Sequence, residues 1–248
     1  MRALIFGGGI NAQKYINLLF DIGYNIDIVT NKTLFVSEKI NNSYLYEEFL
    51  RQKINYSVFD IIIVSVRPIT NQTEIIKYLI GLELENKIIL EKPVTYDLQL
   101  LNDLLKHENI TYNIEELYLS SELLKLFDNK QNIKVDTINK DYNIEHAIGI
   151  FLLDKSFKNY LDKIIFNFKK TNDSKLNYDL YLNDNLLISC KDGVIFHNSN
   201  VSLNLNSFKS FEFNLKLLLA NKNLNFLFKY NFLLLKKSLL KNQVEIDL

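Results

Sequence analysis

The chain has 248 residues, 48% of them apolar and 23% charged, with 29 basic and 29 acidic side chains. That length supports one large domain or two small ones, and the zero net charge argues against a nucleic-acid surface or an anionic-membrane surface. A single cysteine, Cys190, excludes an internal disulfide and a cysteine-cluster metal site, while His107, His146 and His197 are too scattered for a zinc spacing, so no metal is expected.

The opening "MRALIFGGG" reads as a buried strand and not as a signal peptide, since it has neither a long apolar region nor a small-residue cleavage site. No run approaches the ~20 apolar residues of a membrane span. The expectation is a cytoplasmic protein that acts on a small-molecule substrate, with no membrane and no nucleic-acid partner.

Strand and helix patterns then alternate. "ALIFG" is a strand; "NAQKYINLLFDIG" is a helix with Tyr15, Leu18, Leu19 and Ile22 on its apolar face and Gly23 placed to end it. "NIDIVT" is the second strand, the segment from Leu45 to Lys53 is helical, and "DIIIVSV" is an almost unbroken apolar strand. "NQTEIIKYLI" returns as helix opening near Thr70, "KIILE" as strand, "YDLQLLNDLLKH" as helix with Thr95 suited to cap it, and "ITYNI" as strand. Alternation of helices with strands buried on both faces predicts an α/β Rossmann domain, a doubly wound parallel sheet, over residues 1–115.

Residues 116–248 read differently. After the helical "EELYLSSELLKLF" come "KIIFNFK", "YDLYL", "NLLISCK", "VIFHNS" and "VSLNLN", too closely spaced for crossover helices. That spacing predicts an α+β domain with a largely antiparallel sheet, followed by helical patterns near 211–221 and 226–241 and a closing strand "QVEIDL". Its expected role is substrate binding and oligomerisation.

Directly after the first strand stands "GGGINA", which fits G-x-G-x-x-G/A with Gly7, Gly9 and Ala12. The first glycine permits a tight turn, the second a close approach to pyrophosphate, and the small Ala12 close helix–strand packing. Backbone N–H groups at the helix start, around Ile10 and Asn11, then suit phosphate. The end of the second strand, Thr30-Asn31-Lys32, has no carboxylate for a ribose 2′-hydroxyl, and Asp27 stands too early in the strand to supply one. Neutral donors beside a cation favour NADP over NAD; the plain alternative is that Asn31 and Lys32 are turn residues. Ser65, Val66, Arg67 and Pro68 follow the third strand, and Glu91, Lys92 and Pro93 the fourth, so both segments stand at the ligand edge of such a sheet. Tyr112, Asn113 and Glu115, at the end of the next strand, are placed to line the same crevice as substrate-binding residues, although Glu115 also suits a helix start.

The motifs "GGGINA", "SVRPITNQ" and "EKP", in that order, resemble those of the glucose–fructose oxidoreductase / inositol dehydrogenase family (Gfo/Idh/MocA). The resemblance extends through "ITYNIEELYLSSELLKLF" to the closing helices and strand, although the second domain is short for that family. It implies an NAD(P)-dependent oxidoreductase in which Lys92 stands near the nicotinamide and polarises a substrate oxygen, with Gln72 where the family has histidine. It also implies that His146, in "DYNIEHAIGIFLLD", is the general acid/base, a role suited to an ordinary pKa of about 6.5. Tyr142 occupies the position of the usual aspartate and Gly149 that of another, so Tyr142 is the candidate helper of His146, and a structural histidine is the competing reading.

The resulting expectation is hydride transfer to or from a sugar, cyclitol or nucleotide-linked sugar, in a setting such as surface-polysaccharide synthesis. The competing expectations are a reductase of an imine or pyrrole-type substrate and a cofactor-binding sensor or scaffold without catalysis. The antiparallel sheet and the family resemblance together predict a homodimer or higher homo-oligomer.

Overall fold

Strand β1 (Arg2–Phe6) lies near the centre of a parallel six-stranded sheet in the computed structural model, its residues 3–6 buried on both faces. Described are residues 1–31, 37–52, 54–92, 94–112, 131–137, 161–168, 178–182, 185–191, 194–197, 207–220 and 243–247. The chain divides into two compact units, Met1–Asn113 and Ile114–Leu248.

The first unit continues with α1 (Ile10–Asp21), β2 (Asn25–Thr30), β3 (Asn42–Leu45), α2 (Tyr46–Arg51) and β4 (Ile61–Val64). Then follow α3 (Ile69–Gly81), β5 (Lys87–Leu90), α4 (Leu98–Leu104) and β6 (Ile110–Tyr112). The strand order is β3-β2-β1-β4-β5-β6, with every neighbouring pair parallel. The path runs outward from β1 to β3 and then, on the other side, from β4 to β6. Right-handed crossovers place α1 and α3 on opposite faces, because the two halves travel in opposite directions along the sheet. This is a Rossmann-like α/β unit.

Local chemistry accounts for the element ends. Gly23, at φ 87°, closes α1: its N–H donates to Phe20 O and that of Tyr24 to Leu19 O, the paired bonds of a left-handed glycine stop. Ile22 stands at this cap and is 37% exposed, so it does not join the apolar face expected of it. Helix α4 is capped by Asp97, whose carboxylate accepts from Gln99 and Leu100 N–H. Thr95, the cap expected from the sequence, instead accepts the Asp97 N–H at 3.1 Å and pairs with the Thr73 hydroxyl at 2.9 Å. Lys77, 2.9 Å from Asp97, and the capped N–H groups hold that carboxyl below its ordinary range.

Strand β3 was not expected: "NSYL" has no apolar alternation because it is a half-exposed edge strand. A buried acid joins it to the sheet. Asp27, 0% exposed, accepts from Arg2 on β1 at 2.6 Å and from the Asn42 amide on β3 at 2.9 Å, so one carboxylate links three strands. Phe49 of α2 packs among aromatic rings, with centroids 5.6 Å from Phe6, 5.4 Å from Tyr44 and 6.2 Å from Tyr56.

In the second unit the described strands are β7 (Gln131–Thr137), β8 (Leu161–Phe168), β9 (Tyr178–Leu182), β10 (Asn185–Lys191), β11 (Val194–His197) and β12 (Gln243–Asp247). Their order is β11-β10-β9-β7-β8-β12; β7 and β8 pair parallel and the other neighbours antiparallel. Strand β7 was also not expected, although Ile133 and Val135 alternate with polar residues within it. Helix α5 (Ser207–Ala220) buries Phe211, Leu215 and Leu218, a three- and four-residue spacing. The strand expected at 201–206 and the helical patterns at 115–127 and 226–241 lie outside the described residues. Among those described, no helix is long and apolar enough to cross a membrane.

Replacing Arg2 by Met leaves the buried Asp27 carboxylate with Asn42 as its remaining cross-strand partner and is expected to cost about 3 kcal/mol. Asp27→Asn, which frees a guanidinium already 38% exposed, is expected to cost only about 1 kcal/mol. Urea unfolding followed by circular dichroism measures both, and equal costs would contradict this account of the acid.

Candidate functional site

The two halves of the sheet part between β1 and β4, and parallel sheets of this order take ligands at that point, beyond the carboxyl ends of the strands. The backbone there is tightly tied. Gly7 N–H donates to Val29 O, Ser65 N–H to Phe6 O and Glu91 N–H to Val64 O, each at 2.8 Å, so the loops leave four adjacent strands as neighbours. Gly7 has φ 121°, and a Cβ on it would stand 2.0 Å from the Ser65 carbonyl oxygen. Both the backbone angle and the contact require glycine here.

Gly9 differs. It is the extended N-cap residue of α1, and a Cβ on it would meet no atom within 4 Å. No side chain caps this helix end and its first turn carries no acid, so its N–H groups are presented without a local carboxylate to repel an anion. Ala12, 0% exposed, lies against the sheet side, where a larger residue would press α1 outward.

These loops enclose a cleft of about 520 Å³. The turn after β1 contributes Gly7, Gly8, Gly9, Ile10 and Asn11; the end of β2 contributes Thr30 and Asn31. Across from them stand Ser65, Val66 and Arg67 from the β4–α3 crossing and Gln72 from the first turn of α3, with Glu91 after β5. Gly8 was not singled out from the sequence, although the run of three glycines carried its signal. Ala12, Pro68 and Lys92 do not line the cleft. Ala12 packs behind the turn, Pro68 is the N-cap residue of α3, and Lys92 follows Glu91, only 9% exposed. Tyr112 ends β6 opposite Leu90. Lys32, Asn113, Glu115, Tyr142 and His146 lie outside the described residues.

Around the cleft a group of polar side chains is buried: Ser65, Gln72, Glu91, Lys92 and Thr95 are all at most 9% exposed. Hydrogen bonds offset that burial. The Glu91 carboxylate accepts from the Tyr15 hydroxyl of α1 at 3.0 Å and from the Lys92 N–H at 3.2 Å. Gln72 donates to the carbonyls of Glu91 and Val94 and accepts from Val66 N–H. Arg67, exposed at the cleft, donates to the Lys92 carbonyl at 3.3 Å. The glycine turn, its helix and both crossings are therefore one connected assembly. The carboxylate of β2 takes no part, since Asp27 is held by Arg2 and Asn42 in the interior.

No family model matches the chain, and no curated protein matches it either. Solved structures share its fold. A probable dehydrogenase from Thermotoga maritima superposes with a TM-score of 0.52 at 10% identity, covering 100% of this chain and 99% of that one. The super-repressor mutant of Gal80p from Saccharomyces cerevisiae gives 0.51 at 11% identity, covering 99% and 97%. At such identities the likeness is one of fold: this chain shares the architecture of a probable dehydrogenase and of Gal80p.

The two glycines of the turn are expected to respond differently to alanine. Gly7→Ala forces a side chain onto a carbonyl at positive φ and is expected to cost about 3 kcal/mol or more. Gly9→Ala is expected to change stability by no more than about 1 kcal/mol, the usual range for a glycine N-cap. Denaturant titration of both variants reads the difference directly.

Proposed function

We propose that the cleft binds a nicotinamide dinucleotide, NADP in preference to NAD, and that the protein is an NAD(P)-dependent oxidoreductase. The observation that carries this reading is the glycine turn: Gly7 is locked against Ser65, and Gly9 opens an uncapped helix start at the point where the sheet divides. A pyrophosphate fits such a place, needing close backbone approach, N–H donors and a first helical turn without an acid. Gly7, Gly9, Ile10 and Asn11 would hold it, with Thr30 and Asn31 toward the adenosine ribose and Ser65 to Arg67 on the opposite wall. The preference for NADP is supported by the lack of an acid at the end of β2 and by the engagement of Asp27 elsewhere.

When bound, the cofactor supplies the hydride chemistry. In this reading Lys92 polarises the substrate oxygen and His146, helped by Tyr142, moves the proton; these roles rest on the resemblance to Gfo/Idh/MocA enzymes. The substrate class that resemblance favours is a sugar, cyclitol or nucleotide-linked sugar, handled by a second domain spanning 116–248, and a homodimer belongs to the same proposal. A second reading is a cofactor-binding regulator without catalysis. It is favoured by the fold shared with Gal80p and by Gln72, which replaces the family's histidine and is engaged by backbone groups.

Fluorescence titration with NADPH and NADH tests the first step. NADPH is expected to bind about tenfold more tightly, a difference of about 1.4 kcal/mol. Lys92→Met is expected to leave the NADPH Kd within about threefold while lowering turnover of a sugar panel by about 100-fold or more. Binding without turnover by the unmodified protein would favour the regulator; binding of neither nucleotide would remove the proposal.

A further inference from the structure

Gln72 is 2% exposed and uses its whole amide. Nε2 donates to Glu91 O at 2.7 Å and to Val94 O at 3.1 Å, and Oε1 accepts the Val66 N–H at 3.3 Å. The donor side thus grips the β5–α4 crossing and the acceptor side the β4–α3 crossing. The two gripped carbonyls stand on either side of Lys92 in the chain. Lys92 itself is fixed at both backbone groups: its N–H donates to the Glu91 carboxylate at 3.2 Å and its carbonyl accepts from Arg67 at 3.3 Å.

We propose that Gln72 is a positioning residue for Lys92, its amide holding the carbonyls on either side so that the lysine leaves the chain at one place beside the cleft. The inference rests on the reading of the cleft as a dinucleotide site only for what Lys92 does there; the brace stands on geometry alone. An amide suits the task because it offers two donors and an acceptor together and does not titrate. A histidine at this position has one nitrogen donor when neutral and changes charge near neutral pH, so it cannot satisfy the same three groups over the same range. A lysine side chain loses up to about 2 kcal/mol of rotamer entropy when ordered, and a fixed backbone root reduces the freedom left to be lost on ligand binding.

The test is acetylation of Lys92 by a water-soluble amine reagent, quantified by peptide mapping as the ratio of variant to unmodified protein at each pH. Gln72→Met, which removes donors and acceptor, is expected to raise labelling about tenfold at every pH through local opening of the segment. Gln72→Glu keeps the shape and the acceptor but turns the donors into a second acceptor facing two carbonyls. Its ratio is expected to be high near about pH 8.5 and to fall back near about pH 6, where the carboxyl, its pKa raised by burial, regains one donor. Ratios within about twofold of unity for both folded variants, or a Gln72→Glu ratio that does not change with pH, would overturn the brace. Should Gln72→Met fail to fold, the pH dependence of Gln72→Glu decides alone. A separate arm adds NADPH to the unmodified protein: protection of Lys92 supports its place at the cofactor edge, and binding without protection overturns that place. If NADPH does not bind at all, the dinucleotide reading fails while the labelling ratios still judge the brace.

Discussion

The approach of Gly7 to the carbonyl of Ser65 is the constraint on which the site depends. With only 2.0 Å between that oxygen and the point where a Cβ would stand, the two strands beside the division of the sheet can leave it in contact only if the first residue of the turn has no side chain. The backbone at φ 121° then directs the chain into α1 with Gly9 at its open end. A bulkier residue would separate the β1 and β4 exits and widen the floor of the cleft. The close approach of the β1 and β4 exits thus depends on one absent methyl group.

A second layer of order comes from polar groups buried where a parallel sheet usually buries hydrocarbon. Glu91, Gln72, Tyr15 and the backbone of the two crossings satisfy one another, and all of these bonds but the one from Val66 N–H to Gln72 join segments distant in sequence. Leaving any one partner unpaired costs more than the bond itself contributes, because desolvation is not recovered. Such a network specifies one arrangement of the loops around the cleft more sharply than apolar packing would. A probable dehydrogenase and Gal80p share this architecture, so the fold by itself does not decide the function. That decision lies in the side chains around the cleft.

Much of the first unit was legible because strong local signals agree with the tertiary arrangement. "DIIIV", "NIDIVT" and "KIIL" are strands from composition alone, and Gly23 ends α1 by the mechanism its position suggested. The failures have physical reasons. "NSYL" is an edge strand whose pairing with β2, not its own pattern, makes it extended. Thr95 and Asp97 are both good caps, and the choice between them was made by the Thr73 hydroxyl and by Lys77 from α3. Within the candidate site, the glycine turn and the strand-end segments were readable from spacing, and most of those residues line one cleft. Lys92 was readable as a strand-end residue, but not as a buried one outside the lining of the cleft.

The sequence by itself determined that residues 3–6, 26–30 and 61–64 would be buried parallel strands and that a glycine turn would follow the first of them, since period, composition and backbone freedom are local properties. Only the tertiary structure decided what the polar residues do. Asp27 became an internal tie between strands, Glu91 an acceptor for Tyr15, and Gln72 a link between two crossings. The reason is that each of these side chains is satisfied by a partner 15 or more residues away in sequence, as in the 25, 76 and 19 residues that separate these pairs. No local pattern specifies such a partner; it exists once the sheet has brought its strand ends together.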